Sequence, residues 1–114
     1  MQKTLKLNQN YLFRRLYNRG KSLVSPTIVL YYHKRPGHKL NYIGVTASKK
    51  VGGAVRRNRA RRVILESYRL LEPGLETGYT FVIVARGKAA DVKMQVVMDD
   101  LRRLLSKTGG LSPY

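Results

Sequence analysis

The sequence contains no cysteine and no tryptophan, only two histidines, and six acidic residues among 114. The absence of cysteine excludes disulfide bonds, thiolate catalysis and cysteine-ligated zinc. His33 and His38 are too few for a histidine metal cluster. The longest apolar runs, Ile28–Tyr32 and Phe81–Ala85, have five residues each and are too short to cross a membrane, and the first residues lack a signal-peptide core. We therefore expect a cytoplasmic protein that does not insert into a membrane.

Positive charge dominates the composition. Lys and Arg number 23, which gives a formal net charge of +17, and apolar residues make up 43% of the chain, enough for a core. All six acids come after residue 65, so residues 1–65 carry sixteen basic residues and no acid. Folding such a segment brings like charges together, which costs stability unless a polyanion neutralises them. We expect a folded domain that binds nucleic acid.

The pattern of apolar residues predicts a single α+β domain over residues 1–114. Its order, α-β-β-β-α-β-α, is that of a small two-layer sandwich. The last strand has no polar alternation, which is typical of a strand covered on both faces. The expected elements are a helix from near Asn8 to Gly20, a short strand or connector at Lys21–Ser25, strands at Thr27–Lys34 and Asn41–Ser48 paired as a hairpin, a helix from after Gly53 to about Leu71, a strand at Tyr79–Ala85 and a helix from about Asp91.

The segment Ser48–Arg62 gives the most specific signal. Seven of its fifteen residues are basic and none is acidic. Glycines ahead of the helix let backbone amides approach a phosphate, and arginine suits bidentate phosphate contacts. A solvated basic face is the alternative, but a surface needed only for solubility would interleave acids, and only Glu66 can pair along this helix. Nucleic-acid contact is therefore the favoured interpretation.

At these residues the sequence resembles the protein subunit of bacterial ribonuclease P. Ser48–Val55 and Arg57-Asn58-Arg59 match the motif that marks this family. The resemblance extends over nearly the whole chain, from the aromatic residues of the first helix to Ala85-Arg86. There are two departures: Gly53 stands where the family usually has Asn, and Ala60 is smaller than the usual Ile or Val.

The resemblance implies a ribonucleoprotein that removes the 5′ leader of precursor tRNA by endonucleolytic hydrolysis. Its RNA subunit carries the chemistry with Mg²⁺, and the protein alone binds no metal and is not catalytic. A left-handed βαβ crossover is also implied, against the general rule for such units. The implied contacts to the RNA subunit are Lys49, Lys50, Arg56, Arg57, Asn58, Arg59, Arg61 and Arg62, and the implied leader-binding residues are Phe13, Tyr17, Val29 and Tyr31.

The aromatic residues allow two interpretations. They could stack on the unpaired bases of a single-stranded leader, or they could simply be core. A period of two separates Leu30 and Tyr32 from Val29 and Tyr31, so only one of these sets can face a helical core. The residues alone favour core, and the resemblance favours a cleft for the leader.

No catalytic arrangement is expected within the chain. Asp99 and Asp100 are neighbours on a helix and point about 100° apart, which suits neither one metal ion nor an acid–base pair. A ribosomal protein or RNA chaperone would explain the charge and the fold equally well, but not the motif in Ser48–Arg62. A DNA architectural protein is disfavoured, because no apolar wedge on an exposed arm is evident.

Overall fold

The computed structural model describes residues 1–7 and 10–111, and within the second range the side chains from residue 13 onward. It confirms the α+β class. The helix start expected at Asn8 lies outside the described residues. The elements are β1 (Thr4–Lys6), α1 (Asn10–Arg19), β2 (Lys21–Val24), β3 (Ile28–Lys34), β4 (Asn41–Thr46), α2 (Ala54–Leu71), β5 (Tyr79–Ala85) and α3 (Met94–Lys107), with short 3₁₀ turns at Lys49–Val51, Glu72–Gly74 and Gly87–Ala90.

The five strands form one sheet in the order β1-β4-β5-β3-β2. The central strand β5 pairs parallel with β4 and antiparallel with β3. Phe81, Val82 and Ile83 are fully buried, which confirms that this strand is covered on both faces. The predicted hairpin between Thr27–Lys34 and Asn41–Ser48 is wrong, because β5 lies between these two strands. A strand buried on both faces takes a central position with a partner on each edge, and that position separates β3 from β4.

The strand β1 is an element that the sequence analysis missed, so the order begins with a strand before the first helix. It pairs parallel with β4, with Thr4 opposite Asn41. Glu72 Oε2 accepts hydrogen bonds from the Lys3 amide at 2.9 Å and from the Thr4 hydroxyl at 2.8 Å. Three residues are too few to display a strand period, and contacts far along the chain fix this strand instead.

The two faces of the sheet carry different cores. Helices α2 and α3 cover one face, where Leu30 and Phe81 belong to the main cluster. Helix α1 packs on the other face over a smaller cluster that includes Leu16 and Val82. Along β3, Leu30 is fully buried whereas Tyr31 is half-buried. As the period-two argument predicted, only one set of β3 side chains faces the main core.

Helix α2 connects the parallel strands β4 and β5 in a βαβ unit. It begins directly after Gly53, as predicted, and buries Ala60, Ile64 and Tyr68 against the sheet. The left-handed crossover implied by the family resemblance stays a prediction. None of the described helices is both long and apolar enough to span a membrane.

Candidate nucleic-acid interface

The turn before α2 depends on Gly52. Its φ of +137° is one that residues with a side chain rarely adopt. A Cβ at this position would lie 2.6 Å from Cδ of Arg56. The glycine therefore both allows the turn and leaves room for the Arg56 side chain to fold back over it.

Arg56 and Arg59 are bound to the chain that follows β5. Arg56 Nε donates to the Val51 carbonyl at 2.9 Å, and its guanidinium pairs with the Asp91 carboxylate. The hydrogen bonds between these two side chains raise the pKa of Arg56 and lower the pKa of Asp91. Arg59 Nε donates to the Ala90 carbonyl at 3.1 Å. The expectation that these arginines have no acidic partner is wrong for Arg56, because its partner lies 35 residues away rather than along the helix.

The remaining basic side chains of the motif have no carboxylate within ion-pair distance among the described residues. Glu66 pairs with Arg69, as an ion-pair partner rather than a base. Asn58 Oδ1 accepts a hydrogen bond from Arg61, a local contact that the sequence analysis did not foresee. Arg57 Nε is buried without a hydrogen-bond partner. We call the following set the α2 basic surface: Lys49, Lys50, Arg57, Asn58, Arg61 and Arg62.

The second candidate surface lies under α1, on the opposite face of the sheet. The strand registers place Gly44, Val82 and Tyr31 side by side across this face. The Phe13 ring rests on Gly44, where a Cβ would come within 2.6 Å of Phe13 Cε1. One helical turn later, Tyr17 meets Tyr31 edge to face, with ring centroids 4.8 Å apart. Gly44 therefore sets how closely α1 approaches the sheet.

The structure brings three of the four expected leader-binding residues into one row and places the fourth beside it. Phe13, Tyr17 and Tyr31 lie together, while Val29 belongs to the next row, in register with Val84. Tyr17 is 39% exposed and the other three are half-buried. We call these four residues the aromatic platform. None of them is fully buried and none is fully exposed. Each packs on one side and is open to solvent on another.

Two residues on the same face were missed by the sequence analysis. The Arg35 guanidinium lies over the Tyr42 ring, 4.7 Å from its centroid. Tyr42 alternates with the buried Ile43 on β4. The same period-two argument that selected Tyr31 on β3 could have selected Tyr42 on β4.

The neighbouring residues Asp99 and Asp100 lie in different surroundings. Asp99 is exposed and lies 3.6 Å from Arg102, whereas Asp100 is buried and accepts a hydrogen bond from the Thr27 hydroxyl at 2.6 Å. Burial opposes the ionisation of Asp100, but hydrogen bonds from Thr27 and Arg103 lower its pKa. Within residues 1–7 and 10–111, no three His, Asp or Glu side chains are grouped so that they could hold a metal ion.

Comparison with known proteins identifies the family. The family profile described as ribonuclease P matches residues 1–109. The chain belongs to the ribonuclease P protein family. The ribonuclease P protein component of Thermoanaerobacter sp. strain X514 is 37% identical over 106 residues, covering 93% of this chain and 90% of that protein. The component of Clostridium botulinum strain Loch Maree is 42% identical over 105 residues, covering 91% of this chain and 94% of that protein.

Solved structures of ribonuclease P proteins have the same fold. The protein from Staphylococcus aureus superimposes with a TM-score of 0.82 at 24% identity, covering 94% of this chain and 97% of that one. The protein from Thermotoga maritima gives 0.80 at 26% identity, covering 90% and 96%. The family profile and the sequence relatives support ribonuclease P rather than a ribosomal protein or RNA chaperone. As a ribonuclease P protein component, the chain is part of a tRNA-processing enzyme in which the RNA carries the catalytic role.

Proposed function

We propose that this ribonuclease P protein binds its RNA subunit through the α2 basic surface and holds the 5′ leader of precursor tRNA on the aromatic platform. The observation that carries this proposal is the placement of the two surfaces on opposite sides of one sheet. Helix α2 packs on one face and α1 on the other. A single small domain can then touch two RNAs at once and screen the repulsion between them.

The α2 basic surface suits phosphate groups. Lys49, Lys50 and Arg62 are exposed, and Arg57 and Arg61 are half-buried with no acid paired to them. Each phosphate that such a side chain neutralises releases counterions, so binding weakens as salt rises. Arg56 and Arg59 were also expected to contact RNA. We propose instead that they stabilise the position of α2 relative to the neighbouring turns, because their hydrogen bonds are made to residues of the protein itself.

The aromatic platform suits an unpaired leader. Bases that are not stacked in a duplex can stack on aromatic rings without any demand on sequence, at about 1–3 kcal/mol per base. Tyr17 and Tyr31 offer ring surface that their mutual contact does not cover, since Tyr17 is 39% exposed and Tyr31 is half-buried. The first 65 residues, which supply the whole platform, contain no acid that would repel the leader.

In this proposal Mg²⁺ binds to the RNA subunit and not to the protein. The described carboxylates and imidazoles of the protein do not converge on one point, so the donor set for a metal ion is missing there. The metal supplies the hydrolytic chemistry on the RNA subunit, and the protein contributes binding and charge. We place this reaction in the cytoplasm.

The experiment that tests the proposal compares precursor tRNA with mature tRNA. The protein is assembled with a bacterial ribonuclease P RNA at low Mg²⁺, and cleavage at the mature 5′ end and the affinity for both tRNAs are measured. The wild-type protein should stimulate cleavage. The double variant Phe13→Ala, Tyr31→Ala should weaken precursor binding by a few kcal/mol at most and leave mature tRNA unaffected, because only the precursor has a leader.

Folding must be controlled in this experiment, because both substituted residues also pack on the sheet. Circular dichroism shows whether the double variant is folded at the assay temperature. If the aromatic residues were core alone, the variant would lose several kcal/mol of stability and both tRNAs would bind equally poorly. Equal losses for the two tRNAs would contradict leader binding at the platform.

A further inference from the structure

A second row of side chains lies on the α1 face beside the aromatic platform, and its Tyr42 packs against the same small cluster as Phe13 and Tyr31. The strand registers align Leu5 of β1, Tyr42 of β4, Thr80 of β5 and His33 of β3 across the sheet. Leu5 is 49% exposed, His33 is exposed, and Tyr42 and Thr80 are half-buried. This row, which we call the Tyr42 row, is therefore an uneven but accessible strip with an aromatic ring in it.

The Tyr42 ring already carries a stacked cation. The Arg35 guanidinium lies 4.7 Å from the ring centroid. Arg35 has no acid within ion-pair distance in the described part of the chain, and its Nε is buried without a hydrogen-bond partner. Its other contacts are weak, at 3.3 Å to His38 Nδ1 and 3.4 Å to the Leu40 carbonyl. A planar cation on an aromatic ring is a surface on which a base can stack.

The charge around the Tyr42 row is positive. The loop after β3 adds Arg35, His38 and Lys39, all from the part of the chain that has no acid. Glu76, the acid that precedes β5 in the chain, pairs with Lys34 rather than with Arg35: its carboxylate lies 4.0 Å from the Lys34 ammonium. Lys34 in turn lies over the Tyr79 ring on the other face of the sheet. The Tyr42 row is thus suited to a polyanion with unpaired bases.

A basic path connects this row with the aromatic platform. On β4, Tyr42 lies two residues, or about 7 Å, from Gly44, on which Phe13 of α1 rests, and four residues, or about 13 Å, from Thr46, which shares a row with Val29. The outer face of α1 carries Arg14, Arg15 and Arg19, all exposed. A single strand passing over α1 from the platform would meet these arginines before it reached Tyr42.

From these features we infer that the Tyr42 row is a second binding site for the leader, which receives nucleotides farther from the cleavage point than those on the platform. A base stacks on Tyr42 and Arg35, and the arginines of α1 follow the phosphates between the two sites. This inference rests on the proposed leader binding at the platform. It predicts that longer leaders bind more tightly, and that this gain depends on Tyr42.

The absence of tryptophan provides a direct test, because one substitution creates a single reporter. The Tyr42→Trp protein is assembled with the RNA subunit and titrated with precursor tRNAs carrying leaders of about four and about twelve nucleotides, lengths at the lower end and well within the range of single-strand sites. Stacking on the indole should quench its fluorescence with the long leader and not with the short one or with mature tRNA. Val96→Trp, on the exposed side of α3, is the matched control and should respond to none of them.

Affinity supplies a second measurement. In the wild-type holoenzyme the long leader should bind more tightly than the short one. The double variant Tyr42→Leu, Arg35→Gln should lose on the order of tenfold in affinity for the long leader and leave the short leader unchanged. Circular dichroism confirms that the variant is folded, and the Tyr42→Trp reporter, which keeps an aromatic ring, gives an independent answer if the double variant is not.

The outcomes separate this inference from the proposed function. If Tyr17→Trp on the platform is quenched by both leaders while Tyr42→Trp responds to neither, the platform alone holds the leader and the second site is overturned. If the RNA subunit quenches Tyr42→Trp before tRNA is added, the Tyr42 row binds the RNA subunit and not the leader, and the inference is overturned. If both reporters are silent, leader binding at the platform fails together with the second site.

Discussion

Arg56 and Asp91 form a bidentate ion pair between chain segments 35 residues apart. Arg56 Nη1 lies 2.5 Å from Oδ1 of Asp91, and Nη2 lies 2.9 Å from Oδ2. The same guanidinium donates through Nε to the Val51 carbonyl and through Nη2 to the Gly87 carbonyl at 3.4 Å. One side chain therefore joins the turn before α2 to the turn after β5. In the proposed function Arg56 therefore supports the α2 basic surface and is not one of its RNA contacts.

This arrangement predicts that substituting two neighbouring arginines has different effects on RNA binding. Arg57→Ala should weaken binding of the RNA subunit and reduce the slope of log affinity against log salt by about 0.7–0.9, the value for one lost phosphate contact. Arg56→Ala should leave that slope unchanged. It should instead speed hydrogen exchange at the Asp91 amide, which donates to the Lys88 carbonyl within the turn that Arg56 holds.

Asp91→Asn is the matched control for these two variants. It removes the carboxylate from the pair and leaves Arg56 in place, so it should speed the same amide exchange. A decrease of the salt slope in Arg56→Ala as large as that in Arg57→Ala would contradict the structural assignment of Arg56.

Asn58 gives a prediction in which stability and binding move in opposite directions. Its Oδ1 accepts a hydrogen bond from Arg61, which fixes that guanidinium on the exposed side of α2. Asn58→Ala should raise the free energy of unfolding by about 0.5 kcal/mol, since Asn is a poorer helix former than Ala. Affinity for the RNA subunit should fall because Arg61 loses the acceptor that orients it. Leu65→Ala, at an exposed position of the same helix, should leave RNA affinity unchanged, and unaltered binding in Asn58→Ala would make Asn58 incidental.

Gly44 predicts a coupling between the packing of α1 and leader binding. A Cβ at this position would come within 2.6 Å of both Cε1 and Cζ of Phe13, so Gly44→Ala must displace the ring. We expect a loss of about 1–3 kcal/mol in unfolding free energy, as for other overpacked sites, and weaker binding of precursor tRNA but not of mature tRNA. Gly87→Ala, with no neighbour within 4 Å of its Cβ position, should be neutral or slightly stabilising. Wild-type stability in Gly44→Ala would mean that α1 does not rest on Gly44.

The sequence predicted those features of the fold that depend on the residue pattern within a single segment. The missing alternation of Tyr79–Ala85 predicted its burial on both faces, and Gly53 predicted the residue after which α2 begins. Pairing was harder, because β5 separates β3 from β4 although it follows both in the chain.

The same limit applies to the candidate site. The motif identified the basic residues, but the partner of Arg56 is Asp91, which no helical spacing could indicate. Likewise β1 is held by a carboxylate 68 residues away, and its polar Thr4 is buried whereas Leu5 is 49% exposed, the reverse of what their hydrophobicity indicates. Local patterns specify elements and faces, whereas partners distant in the chain are settled only by the assembled fold.

The contact that holds β1 also predicts how the protein responds to acid. Glu72 is only 2% exposed, and burial opposes its ionisation, but hydrogen bonds from the Lys3 amide and the Thr4 hydroxyl lower its pKa below the ordinary value. A carboxyl group with a lowered pKa in the fold stabilises it above the pKa of the unfolded chain, about 4.3, and that stability is lost as the pH falls through the lower value.

Glu72→Gln should therefore reduce the unfolding free energy at pH 7 by about 1.5–3 kcal/mol, the range for hydrogen bonds to a charged group, and by much less near pH 3. Urea unfolding at the two pH values measures the difference. Glu76→Gln is the matched control, because this exposed carboxylate has only a 4.0 Å contact with Lys34 and should matter little at either pH. If Glu72→Gln lost the same stability at both pH values, the carboxylate charge would not be what holds β1, and neutral packing of the side chain would have to account for the strand.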